Sequence, residues 1–272
     1  YYVTLILKEL SQKCPKCVFK GGTSLSKCHH IIDRFSEDID IAFSNKLLQG
    51  MRKRLKNETI AGISETLKMP IIDWKSARSR RDYNCYTFAY NPLQGYVSEG
   101  RLIPGVKMEI SLASVSFPTV NLPVESYVYQ YLVKENEDIV DEYDLRPFEM
   151  SVQGIDRTLA DKVFAICDYY LQGKNKRYSR HIYDIYMLSL KVELNEEFKK
   201  LVKEVREIRA QMSICPSAHK NVKVPQLLRE IIDKDFYKKD YAEITTYFQK
   251  HPVDYEEAIG AVRMIAESGM FE

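Results

Sequence analysis

The chain has 272 residues, 45% hydrophobic and 29% charged, a balance that excludes disordered and fibrous chains and suits one large domain or two moderate ones. Forty basic residues against thirty-eight acidic ones leave a formal charge of +2, well short of the basic excess of a protein that wraps nucleic acid with its whole surface. No apolar run reaches the roughly 18–20 residues that cross a bilayer, so no membrane partner is expected. The six scattered cysteines read as reduced thiols in a cytoplasm rather than a disulfide framework.

In chain order, Val3, Ile6, Leu7 and Leu10 fall at helical spacing, and Cys17-Val18-Phe19 is extended after a turn at Pro15. Gly21-Gly22 breaks that strand, and Thr23 opens a short helix toward His30. Ile39, Ile41 and Phe43 alternate with Asp38, Asp40 and Ala42 as in a half-buried strand. Met51 to Lys68 reads as an amphipathic helix. Strands are expected at Trp74, over Tyr83–Tyr90 and over Val106–Leu112. Beyond about Pro123 the pattern turns helical: Ser126–Glu135, a long helix capped by Asp156 and running to Leu171, Arg180–Leu190, and nearly all of Asn195–Glu272. The expected organisation is an α+β fold, with a core over residues 1–122 and a mainly helical domain over 123–272, the boundary lying between residues 118 and 156.

The densest chemistry lies in Lys20–Phe43. A glycine pair after a strand lets backbone amides approach an anion with no Cβ in the way. The helix that follows offers unpaired N–H groups and the positive end of its dipole, and the Ser24 hydroxyl adds a donor. Taken alone, Gly21-Gly22-Thr23-Ser24 is equally a tight strand–helix turn. On a strand, Asp38 and Asp40 project to one face, where two like charges need a cation. Hard carboxylate oxygens suit Mg²⁺, or Mn²⁺ in its place, completed by substrate phosphates. An edge strand with two incidental acids is the plain alternative. Glu109 on the Lys107–Leu112 strand provides a third acid, as expected when two metals clamp a phosphoryl transfer; a strand Glu flanked by the polar Lys107 and Ser111 is equally a commonplace surface acid.

These segments, in order, resemble the nucleotidyltransferase toxins of the AbiEii/AbiGii family, the toxin half of type IV-like toxin–antitoxin systems, which includes the MenT toxins. The likeness is carried by Tyr1-Tyr2-Val3-Thr4, KGGTSLSK, RFSEDIDI, KMEISL, DRTLADKVFAICDYYL and RHIYDIYML, and covers the chain to about Leu190. It implies a polymerase-β-like nucleotidyltransferase core with a helical C-terminal domain, acting as a toxin of a toxin–antitoxin or phage-defence system. By position, Gly21, Gly22, Thr23 and Ser24 would hold an NTP, with Asp38, Asp40 and Glu109 on the metal. The family's later motif, a Lys on one helix and an Asp on the next, falls on Lys162 and Asp184, with Arg180 on the nucleotide. Where many members carry Arg-Asp ahead of that aspartate, this chain has Arg180-His181. From the residues themselves, Arg180 and Asp184 share a helix face, and a plain i,i+4 ion pair is the alternative.

The implied reaction is attack by an acceptor hydroxyl on the α-phosphate of the NTP, with release of pyrophosphate. The tRNA 3′ end is the first acceptor by resemblance, and a cognate antitoxin the implied protein partner. Protein nucleotidylation, including self-modification, and a non-catalytic NTP-binding module are the rivals. Lys75, Arg78, Arg80 and Arg81, and the turn Lys174, Lys176 and Arg177, are basic clusters that could steer RNA or simply face solvent. Cys14-Pro15-Lys16-Cys17 has C-x-x-C spacing but no second ligand pair to complete a zinc site.

Overall fold

The computed structural model describes residues 1–92 and 104–272 and divides the chain into two compact units, Tyr1–His29 with Ser36–Gln153, and His30–Phe35 with Gly154–Glu272.

The first unit holds α1 (Tyr2–Lys13), β1 (Cys17–Lys20), α2 (Gly21–Lys27), β2 (Ile39–Phe43), α3 (Gln49–Arg54), α4 (Ala61–Leu67), β3 (Tyr83–Ala89), β4 (Gly105–Val115), β5 (Thr119–Val124), α5 (Tyr127–Glu135), α6 (Glu137–Glu142) and β6 (Phe148–Gln153). A π-helical turn, Leu55–Ile60, joins α3 to α4 into one run that ends at left-handed Lys68. The six strands form one mixed sheet in the order β3-β4-β2-β1-β6-β5. β2 runs parallel to β4 and antiparallel to β1, while β1 runs parallel to β6. Apolar side chains at alternate strand positions, among them Ile39, Ile41, Tyr86, Phe88, Val106, Met108 and Ile110, meet Ile6, Leu7 and Leu10 of α1 and Ile60 and Ile63 in the core. Period-2 alternation thus sends the opposite positions of β2, β3 and β4 to the other face of the sheet.

Two strands went unassigned in the sequence, β5 just ahead of the point where helix was expected to take over and β6 beyond it. In β6, Phe148, Met150 and Val152 alternate with Glu149, Ser151 and Gln153, a strand signal that the surrounding helical patterns obscure. β5 is an exposed edge strand, the position where Pro123 is tolerated. With both in the sheet, the compact units divide at Gln153/Gly154. The strand expected at Trp74 is a turn, with only Ile71 bridging to Phe88.

The second unit holds α7 (Ile155–Leu171), α8 (Arg180–Ser189), α9 (Glu196–Arg209), α10 (Val224–Asp233), the short α11 (Lys238–Asp240) and α12 (Tyr255–Glu267). α7 packs on α8, α9 and α10, and α12 covers α8 and α10. α7 starts on Gly154, whose carbonyl accepts from the Thr158 hydroxyl at 2.9 Å, so Asp156 sits inside the first turn and does not cap it. The basic turn after α7 is anchored at its end: the buried Asp240 carboxylate accepts from the backbone amides of Arg177 and Ser179 and from the Ser179 hydroxyl at 2.6 Å. Segment 30–35 joins this unit by backbone bonds, Phe35 donating to Phe248 and Lys250 to Asp33.

Candidate active site

In the first unit Asp40 lies against the turn between β1 and α2, with Glu109 beside it in the sheet. β2 and β4 are parallel neighbours with Asp40 directly paired to Glu109, and on the other side of β2 Asp40 pairs with Lys20. Asp38 stands one residue before the strand, on the same side of the alternation as Asp40, both half-buried between the buried Ile39 and Ile41. Gly21 has φ +77°, and a Cβ there would lie 2.8 Å from Asp40 Cγ and closer still to its Oδ2. Only glycine meets both conditions. The Asp40 carboxylate therefore lies against the glycine turn itself.

Side chains on β3 complete that face. Cys85 pairs with Glu109, and Tyr83 lies one pleat away opposite Ser111. Burial pushes the Tyr83 hydroxyl up, and the Glu109 carboxylate that accepts its hydrogen bond, Cys85 and Asp40 push it further. Burial likewise raises the Cys85 thiol to about 11, helped by Glu109, Asp73 and Asp38 against Lys107. Two neutral groups thus register the negative potential of Asp38, Asp40 and Glu109 together. Among the described residues no group of three His, Cys, Asp or Glu side chains is gathered closely enough to hold a metal ion.

The hydroxyls of the turn are engaged internally. Ser24 is fully buried and donates to the Gly21 carbonyl at 2.9 Å, while Thr23 shares a 2.8 Å hydrogen bond with Ser36. Gly22 is buried beside them. Ser24, expected to donate to a phosphate, is spent on the turn in this conformation.

Lys162, Arg180 and Asp184 belong to the second unit. Asp184, 0% exposed on α8, accepts both arms of the Arg34 guanidinium at 2.7 Å and the Lys162 ammonium at 2.6 Å. Burial pushes the Asp184 carboxyl up, but the Arg34 and Lys162 charges outweigh it and hold the group well below the usual carboxylate range. Burial pulls Lys162 down, with Asp184 opposing and Arg34 assisting. Asp184 is thus engaged by Arg34 and Lys162, while Arg180 of the expected i,i+4 pair is exposed at the start of the helix. His181 Nδ1 lies 3.3 Å from Lys162 Nζ, and the ring stacks on Tyr169, itself stacked on Tyr178. Burial, then Lys162 and Arg180, drive the imidazole well below its ordinary value, so it is neutral at pH 7.

Arg34 escaped sequence reasoning as a site residue. In Ile31-Ile32-Asp33-Arg34-Phe35 the neighbouring Asp33 makes it read as one half of a local charge pair, and nothing local marks it for burial against Asp184. Tyr83 and Cys85 carried no signal at all before β3 and β4 were paired.

A family model described as nucleotidyl transferase AbiEii toxin, type IV TA system, matches residues 5–261. The solved structure of MenT4, a nucleotidyltransferase toxin from Mycobacterium tuberculosis, is similar with a TM-score of 0.58 and 16% identity, over 97% of this chain and 80% of that one. At that identity the likeness is one of fold. No curated protein sequence matches the chain.

Proposed function

The chain belongs to the AbiEii family of nucleotidyltransferase toxins from type IV toxin–antitoxin systems, and from that premise we propose that it transfers a nucleoside monophosphate from an NTP to an acceptor hydroxyl, first among acceptors the 3′ end of tRNA. An antitoxin and an NTP come with the family; the RNA acceptor and the metal are part of the proposal. The observation that carries it is the Asp40–Glu109 pairing on parallel strands with the Asp40 carboxylate against Gly21. A pure binder of nucleotides has no use for repelling carboxylates at its phosphate turn.

Asp38, Asp40 and Glu109 are the residues that would hold Mg²⁺ or Mn²⁺, and their all-oxygen donor set fits either. When bound, such ions neutralise the charge that develops on the transferred phosphoryl group. Gly21 and Gly22 let the main chain approach the triphosphate without a Cβ in the way. Glu109, the acid nearest a proton-holding hydroxyl in Tyr83, is assigned to accept the proton of the attacking hydroxyl. In its own unit, Lys162 is held with Arg34 at the Asp184 carboxylate. An ammonium has the sign a phosphate ligand needs, and the family's later motif falls on this residue, so Lys162 is assigned to the nucleotide. Arg180, exposed near the same group, is assigned there too.

The test is incubation with each radiolabelled NTP, Mg²⁺ and total tRNA, resolved on separate RNA and protein gels. Label on the tRNA band, absent in Asp40→Asn, is the expected result. Label on protein alone would move the acceptor to a Ser, Thr or Tyr hydroxyl, and no label with any NTP would overturn the proposal.

A further inference from the structure

The sheet unit carries a second reactive feature, away from the acids and independent of the proposed transfer. α1 ends at Cys14, and the Cys17 amide donates to the Cys14 carbonyl at 3.0 Å, closing a four-residue turn around Pro15 and Lys16. A turn of that kind holds its end Cα atoms within about 7 Å, and a disulfide spans about 4.4–6.8 Å between Cα atoms. Pro15 sets the backbone of the turn in advance. Both residues are free thiols: Cys14 is half-buried, while Cys17 is 1% exposed at the head of β1. A cleft of about 190 Å³ opens on the pair, lined also by Ser11, Asn121, Glu149 and Ser151.

We infer that Cys14 and Cys17 form a thiol–disulfide exchange site, in which Cys14 attacks a small-molecule disulfide from the cleft and Cys17 resolves the product to an internal disulfide. The Cys14 sulfur bonds to one sulfur of the small disulfide, and the other leaves as a thiolate that takes up the Cys14 proton. Cys17 then attacks the Cys14 sulfur, and the second small thiolate departs with the Cys17 proton. The protein dithiol is oxidised, and the small disulfide is reduced to two thiols.

The division of labour follows from the surroundings. The Cys17 thiol donates a hydrogen bond to Cys14, and the Cys17 and Lys16 amides add theirs, which lowers Cys14 against the upward push of burial. Cys17 is driven the other way by that same bond and by its burial. The more exposed thiol of the pair is therefore the better thiolate, and the buried one waits as a thiol. Zinc fits poorly, since the cleft adds hydroxyls, an amide and one carboxylate to only two sulfurs.

The experiment equilibrates the whole chain in buffers of rising oxidised to reduced glutathione, quenches with acid, alkylates and maps the peptides. Cys14 and Cys17 should lose alkylation together and appear as one linked peptide, while Cys85, the other half-buried thiol, stays alkylatable. In Cys17→Ser a glutathione adduct should accumulate on Cys14, whereas in Cys14→Ser residue Cys17 should stay unmodified. Wild-type Cys14 alkylated as fully as Cys85 at every ratio would overturn the inference. So would a stable glutathione adduct on wild-type Cys14 beside an unreacted Cys17.

Discussion

The Asp40 carboxylate fills the space in which a side chain at Gly21 would have to begin. One residue on β2 and one at the head of α2 thereby constrain each other, and the glycine of the turn is needed for the acid as much as for any phosphate. Gly21→Ala should be costly twice over, through left-handed strain of about 1–2 kcal/mol and through displacement of Asp40. Thermal unfolding should show the strain. In a double-mutant cycle, Gly21→Ala with Asp40→Gly should recover part of the stability and none of the transfer activity. Strict additivity of the two changes would mean that the residues do not press on one another.

Asp40→Asn and Glu109→Gln should each abolish transfer while leaving the fold intact. Each removes one of two charges paired across β2 and β4, so the change in melting temperature should be small beside the loss of activity. Near-full activity in either variant would withdraw that residue from the site.

Asp184 answers differently, because Arg34 and Lys162 share its carboxylate in a buried setting. Removing one partner from such a group costs about 3–5 kcal/mol. Asp184→Ala should therefore lower the urea midpoint strongly, whatever it does to transfer. A loss under 1 kcal/mol would be at odds with the buried geometry. Lys162→Met, which keeps the buried stem, should be milder in stability than Asp184→Ala and should weaken NTP use if the assignment to the nucleotide holds.

The same group sets a pH dependence. The folded-state Asp184 carboxyl is held below its unfolded value, so its contribution to stability is present above about pH 4 and is lost as pH falls toward the folded value. Acid unfolding of wild type should steepen in that window. Asp184→Asn should flatten the dependence, and identical acid profiles for the two proteins would count against the buried ion group.

Ser126 provides a control in which the side chain serves a helix cap. Its hydroxyl accepts from the Tyr129 amide at 2.9 Å and caps α5. Ser126→Ala should cost about 1 kcal/mol and leave transfer unchanged.

The sequence by itself determined the elements whose periodicity is local: α1, β1, β2, β4, α5, α7 and α8 all lie where apolar spacing put them, because neighbours along the chain must share a face to bury it. It also determined that Asp38, Asp40 and Glu109 occur on alternating segments, since a strand's two faces are set by counting. Partners were another matter. Register across β2 and β4, the close approach of Asp40 to Gly21, and the placement of β5 and β6 in the sheet depend on which strands lie side by side, and no local spacing encodes that. Arg34 and Asp184 are 150 positions apart. Only burial of both in one helical unit makes each the counter-charge of the other, because a charge taken out of water accepts whatever opposite charge the fold brings to it.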